Sequence, residues 1–92
     1  MSYVDEIKPL HETINRLNAE IVLKIRERVE VACMIGELKK RHGKPVVDRV
    51  REEAVLSQVS GIAEENGLDP AGVKRVFREI VDMCVKAEET ME

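Results

Sequence analysis

Arg28 and Lys39 stand where apolar residues belong. Counting by threes and fours from Ile21 and Ile25 reaches positions 28, 32, 35 and 39, which hold Arg, Ala, Ile and Lys. The two cations lie three helical turns apart, about 16 Å, on a face that points inward. Farther along, Val55, Val59 and Ile62 mark a second apolar face, and stepping back from it gives Glu52, Arg51 and Asp48. A third face, through Phe77, Ile80 and Cys84, leads to Glu88 at its edge. A small domain has about 5–15 kcal/mol of net stability, and an unpaired buried charge removes several of them. Three inward cations therefore need compensation. Either Arg28, Lys39 and Arg51 pair with Asp48, Glu52 and Glu88 in a structural network, or reach water along their stems. Or they line a pocket for a small anionic ligand. Periodicity alone leaves both arrangements open.

Three helices must position these groups. Apolar residues recur at Ile7, Leu10, Ile14, Leu17, Ile21, Ile25, Ala32 and Ile35, the spacing of one helix face, which predicts a first helix over about 5–41. Pro9 is tolerated in a first turn, which places the start near Lys8. His42-Gly43-Lys44-Pro45 breaks the helix with turn residues. A second helix is predicted over about 48–65, capped by Asp48 and stopped by Asn66-Gly67. Asp69 as a cap and Pro70 at the first helical position open a third, over about 70–89. Val73, Val76, Phe77, Ile80, Cys84 and Ala87 mark its buried face. The expected fold class is all-α: one domain over 1–92, a three-helix protomer with a very long N-terminal helix. A domain about 30 Å across cannot cover an apolar stripe of about 50 Å, and uncovered apolar surface marks a partner. The expected assembly is an intertwined homodimer with its long helices side by side.

Composition agrees. The chain has 92 residues, with 15 Lys or Arg, 18 Asp or Glu, and two aromatics, Tyr3 and Phe77. Few aromatics, five Gly and three Pro argue against a β-sandwich or barrel. A hydrophobic fraction of 43% at a net charge of −3 argues against disorder. The slightly acidic balance speaks against a nucleic-acid partner, and the short basic run Lys39, Lys40, Arg41, His42 and Lys44 suits a helix end. Cys33 and Cys84 form no zinc-type spacing and read as reduced thiols. No metal or cofactor is expected. MSYVDEIK is not a signal peptide, and no run approaches the roughly 18 apolar residues of a membrane span. The expected setting is cytoplasmic, without a membrane partner. The charge pattern as a whole suggests a positive pocket inside an acidic shell.

The sequence also resembles a family. A long first helix carries Ile14, Leu17 and Arg28, then Gly36 and Lys39. The loop Gly43-Lys44-Pro45-Val46-Val47-Asp48 leads to Arg51-Glu52, and Gly67-Leu68-Asp69 leads to Phe77 and Ile80-Val81. This combination resembles the all-helical (AroQ-class) chorismate mutases over nearly the whole chain. The resemblance implies an isomerase that converts chorismate to prephenate, towards phenylalanine and tyrosine, by an intramolecular Claisen rearrangement. Such a reaction moves no proton and forms no covalent intermediate. The enzyme selects a compact conformer of the dianion and stabilises charge on the breaking ether oxygen. By resemblance Arg28 is a carboxylate clamp, and Lys39 contacts a carboxylate and the ether oxygen. Asp48 and Glu52 bind the ring hydroxyl, and Arg51 supports carboxylate binding.

Three positions depart from the common bacterial pattern. His11 stands where the family places an arginine that reaches in from the partner's first helix. Protonated, it offers one charged donor rather than a fork. Glu88 stands where many members have a glutamine donating to the ether oxygen. An ionised carboxylate cannot donate, so Glu88 serves only when protonated. Cys84 replaces a small hydroxyl residue. Two alternatives stay in view: an isochorismate-pyruvate lyase, which shares the fold and much of the cationic pocket and would yield salicylate, and a non-catalytic helical dimer, which the three departures keep open.

Overall fold

The computed structural model describes residues 2–90. It comprises α1 (Tyr3–Arg41), α2 (Arg49–Glu65) and α3 (Pro70–Thr90), and there is no strand among the described residues. The all-α expectation holds. No helix among the described residues is long and apolar enough to cross a membrane.

Local chemistry sets the helix ends. Ser2 caps α1, its Oγ accepting from the Asp5 amide at 3.2 Å, and Asp5 and Glu6 complement the dipole of the first turn. The helix therefore begins at Tyr3 and not near Lys8. Pro9 is its seventh residue and forfeits a single backbone bond, the one that would reach the Asp5 carbonyl. Asp48 caps α2, with Oδ1 accepting from the Arg51 amide at 3.0 Å. Gly67 ends that helix with φ at 68°, a conformation side-chain-bearing residues rarely adopt. Asp69 Oδ2 accepts from the Gly72 amide at 3.2 Å and opens α3 behind Pro70.

Helix α3 packs against both α1 and α2, which do not pack against each other. Ala32, Ile80 and Cys84, flanked by Ile25, Val29 and Phe77, form the α1–α3 core. Val55, Val59 and Val81, flanked by Val73, Phe77 and Val85, form the α2–α3 core. Phe77 belongs to both, so the single Phe ties the three helices together. Two expected core residues lie outside: Ile62 is 50% and Val76 57% exposed. Each falls at the rim of its helix's apolar face, and Leu56, Ala63 and Val81 occupy the buried positions.

Helices α1 and α3 run parallel, with Gly36 against Glu88 and Ala32 beside Ile80 and Cys84. In that register Pro70 lies level with the middle of α1, so roughly the first fifteen residues of α1, about 22 Å, project past the bundle. Leu10, Ile14 and Leu17 are exposed along this stretch, and Ile21 is exposed one turn past it. The chain presents 7391 Å² to solvent, against about 5,400 Å² for a compact monomer of its mass. Its radius of gyration is 17.3 Å, against about 12 Å for a compact chain of this length.

A Cβ at Gly61, within α2, would meet no heavy atom within 4 Å. Gly61→Ala is therefore expected to stabilise the protein by about 0.5–1 kcal/mol, because alanine loses less backbone freedom in a helix. Thermal unfolding at equal protein concentration checks this; a lower Tm would contradict it.

Candidate active site

The gap between α1 and α2 is a cavity of about 380 Å³ floored by α3. Seven of the eight expected site residues line it: Arg28 and Lys39 from α1, Asp48, Arg51 and Glu52 from the start of α2, and Cys84 and Glu88 from α3. Apolar walls come from Val31, Ala32, Ile35, Val55, Val81 and Val85. Residues distant in sequence converge here because the loop 42–48 folds the start of α2 back beside the last turns of α1. His11 is the exception. It sits exposed on the projecting part of α1, outside the cavity of its own protomer, about 25 Å along the helix from Arg28.

The hydrogen bonds decide much of the choice between a structural network and an open pocket. Lys39 Nζ donates to the Val46 carbonyl at 2.6 Å and lies 3.6 Å from Glu88 Oε2. The Glu88 side chain is only 7% exposed and that of Lys39 21%. Arg28 Nη1 donates to Cys84 Sγ at 2.9 Å, a weak acceptor. Among the described residues neither Arg28 nor Arg51 forms an ion pair with a carboxylate. Glu52 Oε2 and Glu88 Oε2 are buried without a hydrogen-bond donor. A closed network would have joined these groups to one another. Instead two guanidinium groups and two carboxylate oxygens retain hydrogen-bonding capacity towards the cavity.

Lys39 is partly engaged. An ammonium has three N–H donors, and the Val46 carbonyl takes one. Two remain, because Glu88 Oε2 receives no hydrogen bond at 3.6 Å. The Val46 carbonyl is a site group that side-chain patterning did not reveal, since a main-chain acceptor leaves no mark on residue type. Asp48 is exposed and its Oδ1 is occupied by the α2 cap, which leaves Oδ2 for a second role. The lining carries three cations and three carboxylates. The expected positive pocket is thus a balanced one, with Glu88 supplying the third negative group.

A second cavity, of about 540 Å³, adjoins the first and shares Val46 and Glu88 with it. Lys40, Arg41 and Lys44 edge this outer cavity with Glu37 and Glu89. Cys33 and Cys84 are free.

The arrangement is a small-molecule pocket whose polar groups suit an anion that also carries hydroxyl or other donor groups, set in a three-helix protomer. The family described as chorismate mutase type II matches residues 10–89. The chain belongs to that family. It is 27% identical over 92 residues to the bifunctional chorismate mutase/prephenate dehydratase of Aquifex aeolicus, covering 97% of this chain and 25% of the relative. It is 36% identical over 87 residues to the protein of the same name from Neisseria gonorrhoeae, covering 92% of this chain and 23% of the relative. A 4-amino-4-deoxychorismate mutase from Streptomyces venezuelae is 25% identical over 85 residues, covering 91% of this chain and 82% of the relative. The chain thus spans about a quarter of the length of the two bifunctional relatives.

Proposed function

We propose that this chain is a chorismate mutase, converting chorismate to prephenate on the route to phenylalanine and tyrosine, in the cytoplasm. The observation that carries the reading is the pair of guanidinium groups, Arg28 and Arg51, that edge the cavity without a carboxylate partner. A dianionic substrate supplies the missing partners. Gripping both carboxylates holds the two ends of the substrate within bonding reach, which removes much of the entropic barrier of a unimolecular rearrangement. The two spare N–H groups of Lys39 suit its double task at a carboxylate and the ether oxygen. The second contact strengthens as that oxygen gains negative charge, so it lowers the barrier rather than merely binding substrate. Glu52 Oε2, buried and without a donor, accepts from the ring hydroxyl, and Asp48 adds a second acceptor at the rim.

The working unit in this reading is a homodimer. The surface and radius excess above correspond to an unpaired apolar helix rather than to a finished fold. Pairing two α1 helices antiparallel would bury Leu10, Ile14, Leu17 and Ile21 of each against the C-terminal half of the other. Val31, Met34, Ile35 and Leu38 are exposed there. The same pairing carries the partner's projecting segment, with His11 on it, to the mouth of the cavity. Leu17→Glu is expected to yield a monomer and to lower kcat/KM at least tenfold. Sedimentation velocity together with the assay checks this; a fully active monomer would contradict it.

Consumption of chorismate with formation of prephenate tests the activity. A second substrate has an observation in its favour. Glu52 Oε2 would accept from a ring ammonium as readily as from a hydroxyl, and one relative is named for 4-amino-4-deoxychorismate. The ratio of kcat/KM for the two compounds decides between them, and a preference for chorismate is expected.

A further inference from the structure

Gly36 is the sole glycine of α1, and it is one of only two buried residues of that helix. Its backbone is helical; the positive-φ glycines among the described residues are Gly43 and Gly67. Conformational freedom therefore does not account for glycine at this position. Glycine is also the poorest helix former after proline, so the residue weakens the element that carries it. What glycine contributes is the absence of a side chain. A Cβ built at Gly36 would lie 3.1 Å from Glu88 Cγ, 3.2 Å from Glu88 Cβ and 3.6 Å from Glu88 Cα. The three nearest atoms all belong to one residue, and that residue reaches the cavity.

We propose that Gly36 is a positioning residue for Glu88: its missing Cβ lets α3 approach α1 closely enough to seat the Glu88 carboxylate beside Lys39, between the two cavities. The reach is fixed on both sides. Lys39 stands one turn beyond Gly36 on the same helix and is tethered to the Val46 carbonyl at 2.6 Å. Glu88 Oε2 lies 3.6 Å from its Nζ. A methyl group at position 36 would press on Cβ and Cγ of Glu88, the root of the side chain and not its flexible end. Relief requires a shift of a few tenths of an ångström, by rotation of the side chain or by displacement of α3. Either motion moves the carboxylate relative to Lys39 and to any substrate atom between them. Placement errors of this order at a reacting centre are felt chiefly in kcat.

This inference rests on the reading of the cavity as the mutase site, and the experiment separates the two. The wild type, Gly36→Ala, Glu88→Ala and the double variant are assayed with chorismate at about pH 5.5. Gly36→Ala is expected to lower kcat about tenfold with KM changed less than about threefold. In the Glu88→Ala background, adding Gly36→Ala is expected to change kcat less than twofold, because the group through which it acts is gone. An unchanged kcat in Gly36→Ala overturns the proposal. So does an equal loss in both backgrounds, which would make Gly36 a general packing residue. If Gly36→Ala fails to fold, the series is repeated with Gly61→Ala added, since that site lies away from the cavity; continued failure to fold also overturns it. An inactive wild type would instead reject the mutase reading itself.

Discussion

Lys39→Ala is expected to lower kcat/KM for chorismate by about three orders of magnitude, with most of the loss in kcat. A single preorganised donor at a developing oxyanion is worth about 10²–10³ in rate, and the lost carboxylate contact adds to it. The geometry makes the lysine hard to replace. Its ammonium is oriented by the Val46 carbonyl at 2.6 Å and flanked by Glu88, so the spare N–H groups are aimed before substrate arrives. Water filling the space of an alanine variant would have no such orientation. The substitution also leaves the 7% exposed Glu88 side chain without its cation, so stability is measured beside activity. Lys24→Ala, at an exposed surface ion pair with Glu27, is expected to change activity less than twofold. A Lys39→Ala protein that is folded and within tenfold of wild type would remove Lys39 from the chemistry.

Glu88→Gln carries the second large effect, and its sign is unusual for a substitution in an active site. An amide donates a hydrogen bond at every pH, whereas a carboxyl group donates only when protonated. In its ionised form Glu88 would face the ether oxygen of the proposed substrate with like charge just as that oxygen becomes negative. The variant is therefore expected to exceed wild type at about pH 7.5 by tenfold or more. A loss of activity in Glu88→Gln near neutrality would contradict this role.

Several features of the fold follow from short-range chemistry, and those were legible. Asp48, Asn66-Gly67 and Asp69-Pro70 mark helix ends through caps and a positive-φ glycine, which need no distant partner. The start of α1 was less legible, because Pro9 draws attention while the Ser2 cap that decides the matter involves one side chain and one amide. Periodicity located apolar faces but not what covers them. Ile62 and Val76 belong to such faces and remain exposed, while Val81 and Leu56 take the buried places. Leu10, Ile14, Leu17 and Ile21 have the same pattern as core residues, yet within one protomer they cover nothing.

The site divides in a similar way. Charges out of place on apolar faces, Arg28, Lys39, Arg51 and Glu88, mark the candidate site in the sequence itself. The pairing among them did not follow, because it depends on distances of a few ångströms between helices. Lys39 meets Glu88, Arg28 meets Cys84, and Glu52 meets no donor. The Val46 carbonyl was invisible for a different reason, being a main-chain group. For Gly36 the residue type was plain, but its purpose emerged only with Glu88 at 3.1 Å from the absent Cβ. His11 lies beyond the reach of a single protomer.

The most direct test of the central claim is the rate of chorismate disappearance, with prephenate identified as product, at about pH 5.5 and about pH 7.5. The purified protein should convert chorismate to prephenate at both. Absence of turnover at both values would show that the cavity of Arg28, Lys39 and Glu88 does not catalyse this rearrangement.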